Sequence, residues 1–106
     1  MINWDKVREL RDDIGAEDFN EIIEVFLEEV ETELAELSDK PTSELGASMH
    51  FLKGSALNLG FQEFSEKCHA GEKMAADNRA EFIDLADVQA SYAASKEKFL
   101  ENCTKI

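Results

Sequence analysis

The sequence predicts an all-α protein, an antiparallel up-down four-helix bundle with one short additional helix at the N-terminus. Apolar residues recur at spacings of three and four along almost the whole chain, the period of a helix packed on one side. Strand-like alternation is nowhere sustained, and a single proline interrupts the 106 residues, so few positions forbid a helix. Four long amphipathic stretches joined by short connections pack most readily with alternating direction.

The first helix is expected to begin at Asn3, whose side chain suits the free N–H groups of a first turn. It buries Val7, Leu10 and Ile14 and ends at Gly15. The second runs from near Ala16 to Leu37, with Phe19, Ile22, Ile23, Phe26, Leu27, Val30, Leu34 and Leu37 on one side and mostly acid on the other. Ser38 to Pro41 form a turn, and the third helix opens near Thr42 or Ser43 and closes at Leu59, with Gly60 just past its end. Phe61 to Asp77 reads as the next helix, with a stripe of Phe61, Phe64, Cys68, Gly71 and Ala75, before Asn78, Arg79 and Ala80 turn the chain. The last begins around Glu81 or Asp84, runs to Cys103 and buries Leu85, Val88, Tyr92 and Phe99. The length fits a single domain over residues 1–106, since two cores would each be too small.

Composition narrows the function. Hydrophobic residues make up 43% of the chain, enough to fill a core. With 24 acidic against 11 basic residues the net charge is -13. That argues against nucleic acid, whose phosphates need clustered Lys and Arg, and against an anionic membrane surface. The run from Glu28 to Glu36 reads as a solvated helix face. Cys68 and Cys103 fall on apolar stripes, where a thiol behaves as a small hydrophobe. Without a secretory-type apolar segment or a stretch long enough to span a bilayer, a cytoplasmic protein is expected.

One histidine breaks the packing pattern. At about 100° per residue, Leu45, Met49, Leu52, Ala56 and Leu59 cluster around one direction of the third helix, and His50 points roughly 140° away from it. Such a histidine is exposed. Gly46 and Gly54 lie one turn before and after it, and Leu57 continues the strip. A glycine inside a helix costs about 1 kcal/mol relative to alanine, so two beside one outward imidazole need another reason, and close approach of a bulky partner supplies one. Lys53 sits on the adjacent flank, where its ammonium can reach an anion attached to the ring; taken alone it is an ordinary solvated lysine. Ser55 either supports that anion or bonds back to a helix carbonyl. Glu66 and His69 have the Glu-x-x-His spacing of di-iron carboxylate bundles, but Ala47 stands where a second copy needs its glutamate, so no metal site is expected.

The run His50-Phe51-Leu52-Lys53-Gly54-Ser55-Ala56-Leu57-Asn58-Leu59-Gly60 resembles the signature of histidine-containing phosphotransfer domains. In that pattern a phosphorylated His precedes Lys-Gly-Ser, and a Gly follows five residues after the Ser. The resemblance implies that His50 is the phosphoacceptor, Lys53 the cation that steadies the phosphoryl group, and Gly54 the small residue that admits an incoming receiver domain. Phe51 departs from the small or polar residue often found there. It adds docking surface if exposed and is ordinary core if tucked under the first helix, and the second placement is preferred. Farther on, His69-Ala70-Gly71-Glu72 resembles the His-x-x-Glu of the phosphotransfer domain of chemotaxis histidine kinases. If the chain reverses at Gly60-Phe61, residues about eleven to either side lie level, which brings Glu72 to His50. A carboxylate there can accept the Nδ1 proton and leave Nε2 as the nucleophile. A surface role is the other reading for Glu72 and His69.

With that resemblance, the expected function is a phosphorelay carrier that takes a phosphoryl group on His50 from one receiver aspartate and passes it to another in two-component signalling. The partners are receiver domains of response regulators and hybrid histidine kinases. They dock on Gly46, His50, Gly54 and Leu57, with Phe51, Ser55 and His69 around them, and catalysis is mainly positioning. The divalent cation belongs to the receiver, so no cofactor of the chain's own is expected. ATP-dependent kinase activity is not expected either, because sensor-kinase dimerisation segments usually carry an acid directly after the histidine and a proline shortly beyond, where this chain has Phe51 and Lys53-Gly54. An interaction module that binds the same partners without carrying phosphate stays open at the level of sequence. Transfer needs an unprotonated nitrogen, so uptake is expected to weaken in acid. A monomer is expected because no uncovered heptad seam is left, and the start at Met1 suggests a free-standing carrier.

Overall fold

In the computed structural model, which describes residues 2–102, every regular element is helical. The helices are α1 (Trp4–Ile14), α2 (Ala16–Glu36), α3 (Thr42–Leu59), α4 (Gln62–Ala76) and α5 (Leu85–Asn102), with 3₁₀ turns at Leu37–Asp39 and Ala80–Phe82. Among the described residues the one strand-like feature is an isolated bridge between Ile2 and Phe61. Cys103, expected at the end of the last helix, lies outside the described residues.

Local chemistry sets the helix ends. Asn3 Oδ1 accepts from the Lys6 N–H at 3.2 Å, and the Gly15 N–H closes α1 on the Arg11 carbonyl at 2.8 Å. Leu37 is not the last residue of α2 but the first of the 3₁₀ turn, where it is still fully buried. Gly60 ends α3 at φ +77°, and a Cβ there would stand 2.7 Å from the Asn3 carbonyl oxygen. Glycine is therefore required twice over, once for backbone hand and once for the approach of α1. The Asn3 N–H donates to the Gly60 carbonyl at 2.7 Å and ties α1 to the α3–α4 reversal. Phe61 is not helical; it fills the turn as a fully buried side chain. Of the two expected starts for the last helix the later is found, with Asp84 Oδ1 accepting from the Asp87 N–H at 3.0 Å.

The core runs the length of the bundle, and its aromatic rings gather at the Gly60 end. Phe61 lies 5.5 Å from Phe99 and 6.1 Å from Tyr92, Phe64 meets Tyr92 edge-on at 5.3 Å, and Trp4 of α1 stacks on Phe99 at 5.9 Å, all between ring centres. Cys68 is buried in the same interior, and burial pushes its thiol up to about 12, so it acts as a small hydrophobe. Helices α2 and α5 are joined by Tyr92 Oη donating to Glu31 at 2.7 Å and by Gln89 donating to the Leu34 carbonyl at 3.2 Å.

The preferred placement of Phe51 is corrected. Helix α1 sits against the Gly60 end of α3, whereas Phe51 lies well before it and turns toward α2, beside Val25 and Thr32, 41% exposed. An apolar side chain one position from the outward face had two neighbouring helices available, and helical spacing alone does not choose between them.

Candidate functional site

Positions 50 and 53 lie one turn apart on the flank of α3 that faces α4, and the two-residue reversal at Gly60-Phe61 brings Glu72 level with both. His50 projects outward with 72% of its side chain exposed, and its Nδ1 is 2.6 Å from Glu72 Oε2. The other carboxylate oxygen, Oε1, accepts from Lys53 Nζ at 2.5 Å. One carboxylate thus bridges two side chains of α3. His69, one turn before Glu72 on α4, has its Nδ1 3.9 Å from Oε1, within ion-pair range but beyond a direct hydrogen bond.

The charge state follows from the neighbours. The Lys53 ammonium holds the Glu72 carboxyl below its ordinary value, partial burial opposes it, and the bond to His50 adds to the lowering. An ionised carboxylate only accepts hydrogen bonds. A neutral His50 ring therefore carries its proton on Nδ1 and donates to Glu72, a tautomer assigned from the partners. Nε2 keeps its lone pair on the exposed ring.

The two glycines beside His50 prove different. A Cβ built on Gly54 would meet nothing within 4 Å, so no neighbour inside the fold explains the missing side chain. A Cβ on Gly46 would stand 3.1 Å from the Ala75 Cβ, tighter than ordinary contact. The glycine at 46 therefore lets α3 approach α4, a reason internal to the fold. Leu57 is 54% exposed on the same strip, whereas Ser55 is buried and turned from it. A shallow depression beside His50, lined among others by Ala47, Glu72, Ala75, Ala76 and Glu81, went unread in the sequence. Its signal was the two adjacent pairs of small residues, Gly46-Ala47 and Ala75-Ala76. A second, mostly apolar hollow joins Lys53, Leu57, Ser65, Glu66 and His69 on the other side. Among the described residues no cluster of three or more His, Cys, Asp or Glu could hold a metal.

The model of the Hpt domain family matches residues 21–98. The chain belongs to the Hpt domain family. No curated protein and no solved structure gives a significant match. The matched span includes the α3–α4 hairpin and both histidines of this Hpt domain. Hpt domains are phosphocarriers, not kinases; they serve histidine phosphotransfer in phosphorelay signalling and interact with receiver domains. Geometry separates the two histidines: His50 has a carboxylate at hydrogen-bond distance from one ring nitrogen, and His69 does not. No helix among the described residues is long and apolar enough to cross a membrane.

Proposed function

We propose that this Hpt domain is a relay carrier in which His50 accepts the phosphoryl group from the aspartate of one receiver domain and returns it to the aspartate of another. The single observation that carries the reading is the outward imidazole with Nδ1 held on Glu72. In the forward step the Nε2 lone pair forms a bond to phosphorus while the bond from phosphorus to the aspartyl oxygen breaks, and the aspartate leaves as its carboxylate. The ring gains positive charge, which the Glu72 carboxylate faces through the Nδ1–H. Lys53, bonded to Glu72 in the unphosphorylated protein, exchanges that oxygen for a phosphoryl oxygen, and Gly54 leaves room for the partner. The return step reverses these bonds. Gly46 and Leu57 extend the docking strip, with Phe51 and His69 around it, while Ser55, buried on the other side of α3, takes no part. The reading takes residues 1–106 as one domain, folded as an antiparallel up-down four-helix bundle that acts as a cytoplasmic monomer without ATP-dependent activity of its own.

The test is incubation with a phosphorylated receiver domain and detection of acid-labile phosphate on the chain. Label is expected on the wild type and absent from His50→Gln. Label that survives in His50→Gln, or none from any receiver offered, overturns the proposal.

A further inference from the structure

Two exposed apolar side chains stand together on the α2 side of His50: Phe51, at the margin of the proposed docking strip, and Val25, beyond it. Val25 of α2 is 48% exposed and Phe51 of α3 41%. They share a shallow depression with Thr32 and the acidic residues Glu28, Glu29 and Glu33. Residues 25, 28, 29, 32 and 33 occupy one face of α2, and Phe51 follows the proposed phosphoacceptor directly, about 100° around α3. Glu33 is held by Lys40, but among the described residues no ion pair reaches Glu28 or Glu29.

We infer that this patch selects the phosphorelay partner, admitting receiver domains whose docking face carries apolar side chains ringed by Lys or Arg. The inference rests on the carrier reading and adds the partner's chemistry to it. A stable protein interface buries on the order of 800 Å² per partner, far more than His50, Gly54 and Leu57 present, so a partner seated on His50 must spread over a neighbouring helix. On the α2 side it meets two apolar anchors, and such anchors carry most of an interface's affinity. The carboxylates around them reward cations and penalise acids, which sets encounter rate and choice of partner. A second copy of this chain is a poor occupant, because each copy carries a net charge of -13 and would bring the same carboxylates.

The experiment uses two receiver domains, one basic and one acidic around its phosphorylatable aspartate, each phosphorylated with acetyl phosphate. Transfer to the full chain is followed below and at saturation. The basic-faced receiver is expected to react faster, with a second-order rate that falls at least tenfold between about 50 and 500 mM salt. The double variant Glu28→Lys, Glu29→Lys should lose tenfold or more of that rate at low salt with the saturating rate unchanged, and Phe51→Ala should weaken both salt conditions alike. An unchanged rate in the charge-reversed variant, or preference for the acidic-faced receiver, overturns the inference. If neither receiver phosphorylates His50 the carrier reading fails by itself, and amide shift changes on adding the basic-faced receiver decide the patch. Changes at Val25 and Phe51 that vanish on charge reversal uphold it, and their absence overturns it. A concentration-dependent mass in sedimentation that Phe51→Asp abolishes would assign the patch to a second copy and overturn it too. Circular dichroism verifies that each variant stays helical.

Discussion

In the proposed transfer, Glu72 decides which nitrogen of His50 is free to react. Its carboxylate is fixed by Lys53 at one oxygen and takes the Nδ1–H at the other, so removing it frees the ring to rotate and to exchange tautomers. Glu72→Ala is expected to slow phosphoryl uptake by tenfold or more with the helical signal and urea midpoint nearly unchanged; an unaltered uptake rate would remove Glu72 from the mechanism. Gly54 is tested in the opposite sense. Because a Cβ there meets only open space, Gly54→Ala should stabilise the fold by about 1 kcal/mol, while Gly54→Leu, also folded, should cut transfer from a receiver at least tenfold. A stabilised Gly54→Leu with full transfer would show that no partner needs the gap. At this scale the sequence was informative where helical period alone sufficed: the outward direction of His50 and the level of Glu72 both follow from turn position. Gly46 was not readable in the same way. Its role depends on a few tenths of an ångström of clearance from Ala75, which no spacing rule encodes.

Among the elements, the connection from α2 to α3 is held by a polar cluster. Lys40 donates to Glu33 of α2 and, at 2.9 Å, to Ser48 Oγ of α3, while Ser48 donates to Glu33 at 2.8 Å. Ser48 is buried just before the site on α3, so the cluster fixes the helix that carries His50. Nothing in the sequence marks it, because its members come from a helix, a turn and a second helix and match no local motif. Four helix ends, by contrast, were legible, since Asn3, Gly15, Pro41 and Gly60 act on the backbone beside them. The end of α2 at Leu37 and the start of α4 at Phe61 were each misplaced by one residue. The cluster has a pH signature. Lys40 lowers the Glu33 carboxyl, Lys96 and Tyr92 lower that of Glu31, and Lys53 lowers that of Glu72. Each then binds a proton more readily in the unfolded chain than in the fold. Their contribution is fully present above the ordinary value of 4.5 and is lost as pH falls through the lower folded values. Urea midpoints are expected to drop between pH 6 and pH 3, and less steeply in Glu33→Gln; a flat profile would contradict these pairings.

The molecule as a whole divides its labour by position. Aromatic rings pack the Gly60 end, where Trp4, Phe61, Phe64, Tyr92 and Phe99 converge, and the middle of the α3–α4 hairpin is left to hold one imidazole in the open. A rigid end and an exposed site suit a carrier, which must present the same ring to successive partners without rearranging its core. The all-helical class was legible because amphipathic period recurs over the whole chain. The 77–84 connection was less so, for its 3₁₀ turn and the depression beside it depend on how α4 and α5 meet α3. The central claim, that the chain offers Nε2 of His50 to phosphorus, is tested most directly by nitrogen and phosphorus NMR of the isotope-labelled chain after phosphorylation by a receiver. The account predicts a phosphorus coupled to Nε2 of His50; phosphorus on Nδ1, or on His69, would contradict it.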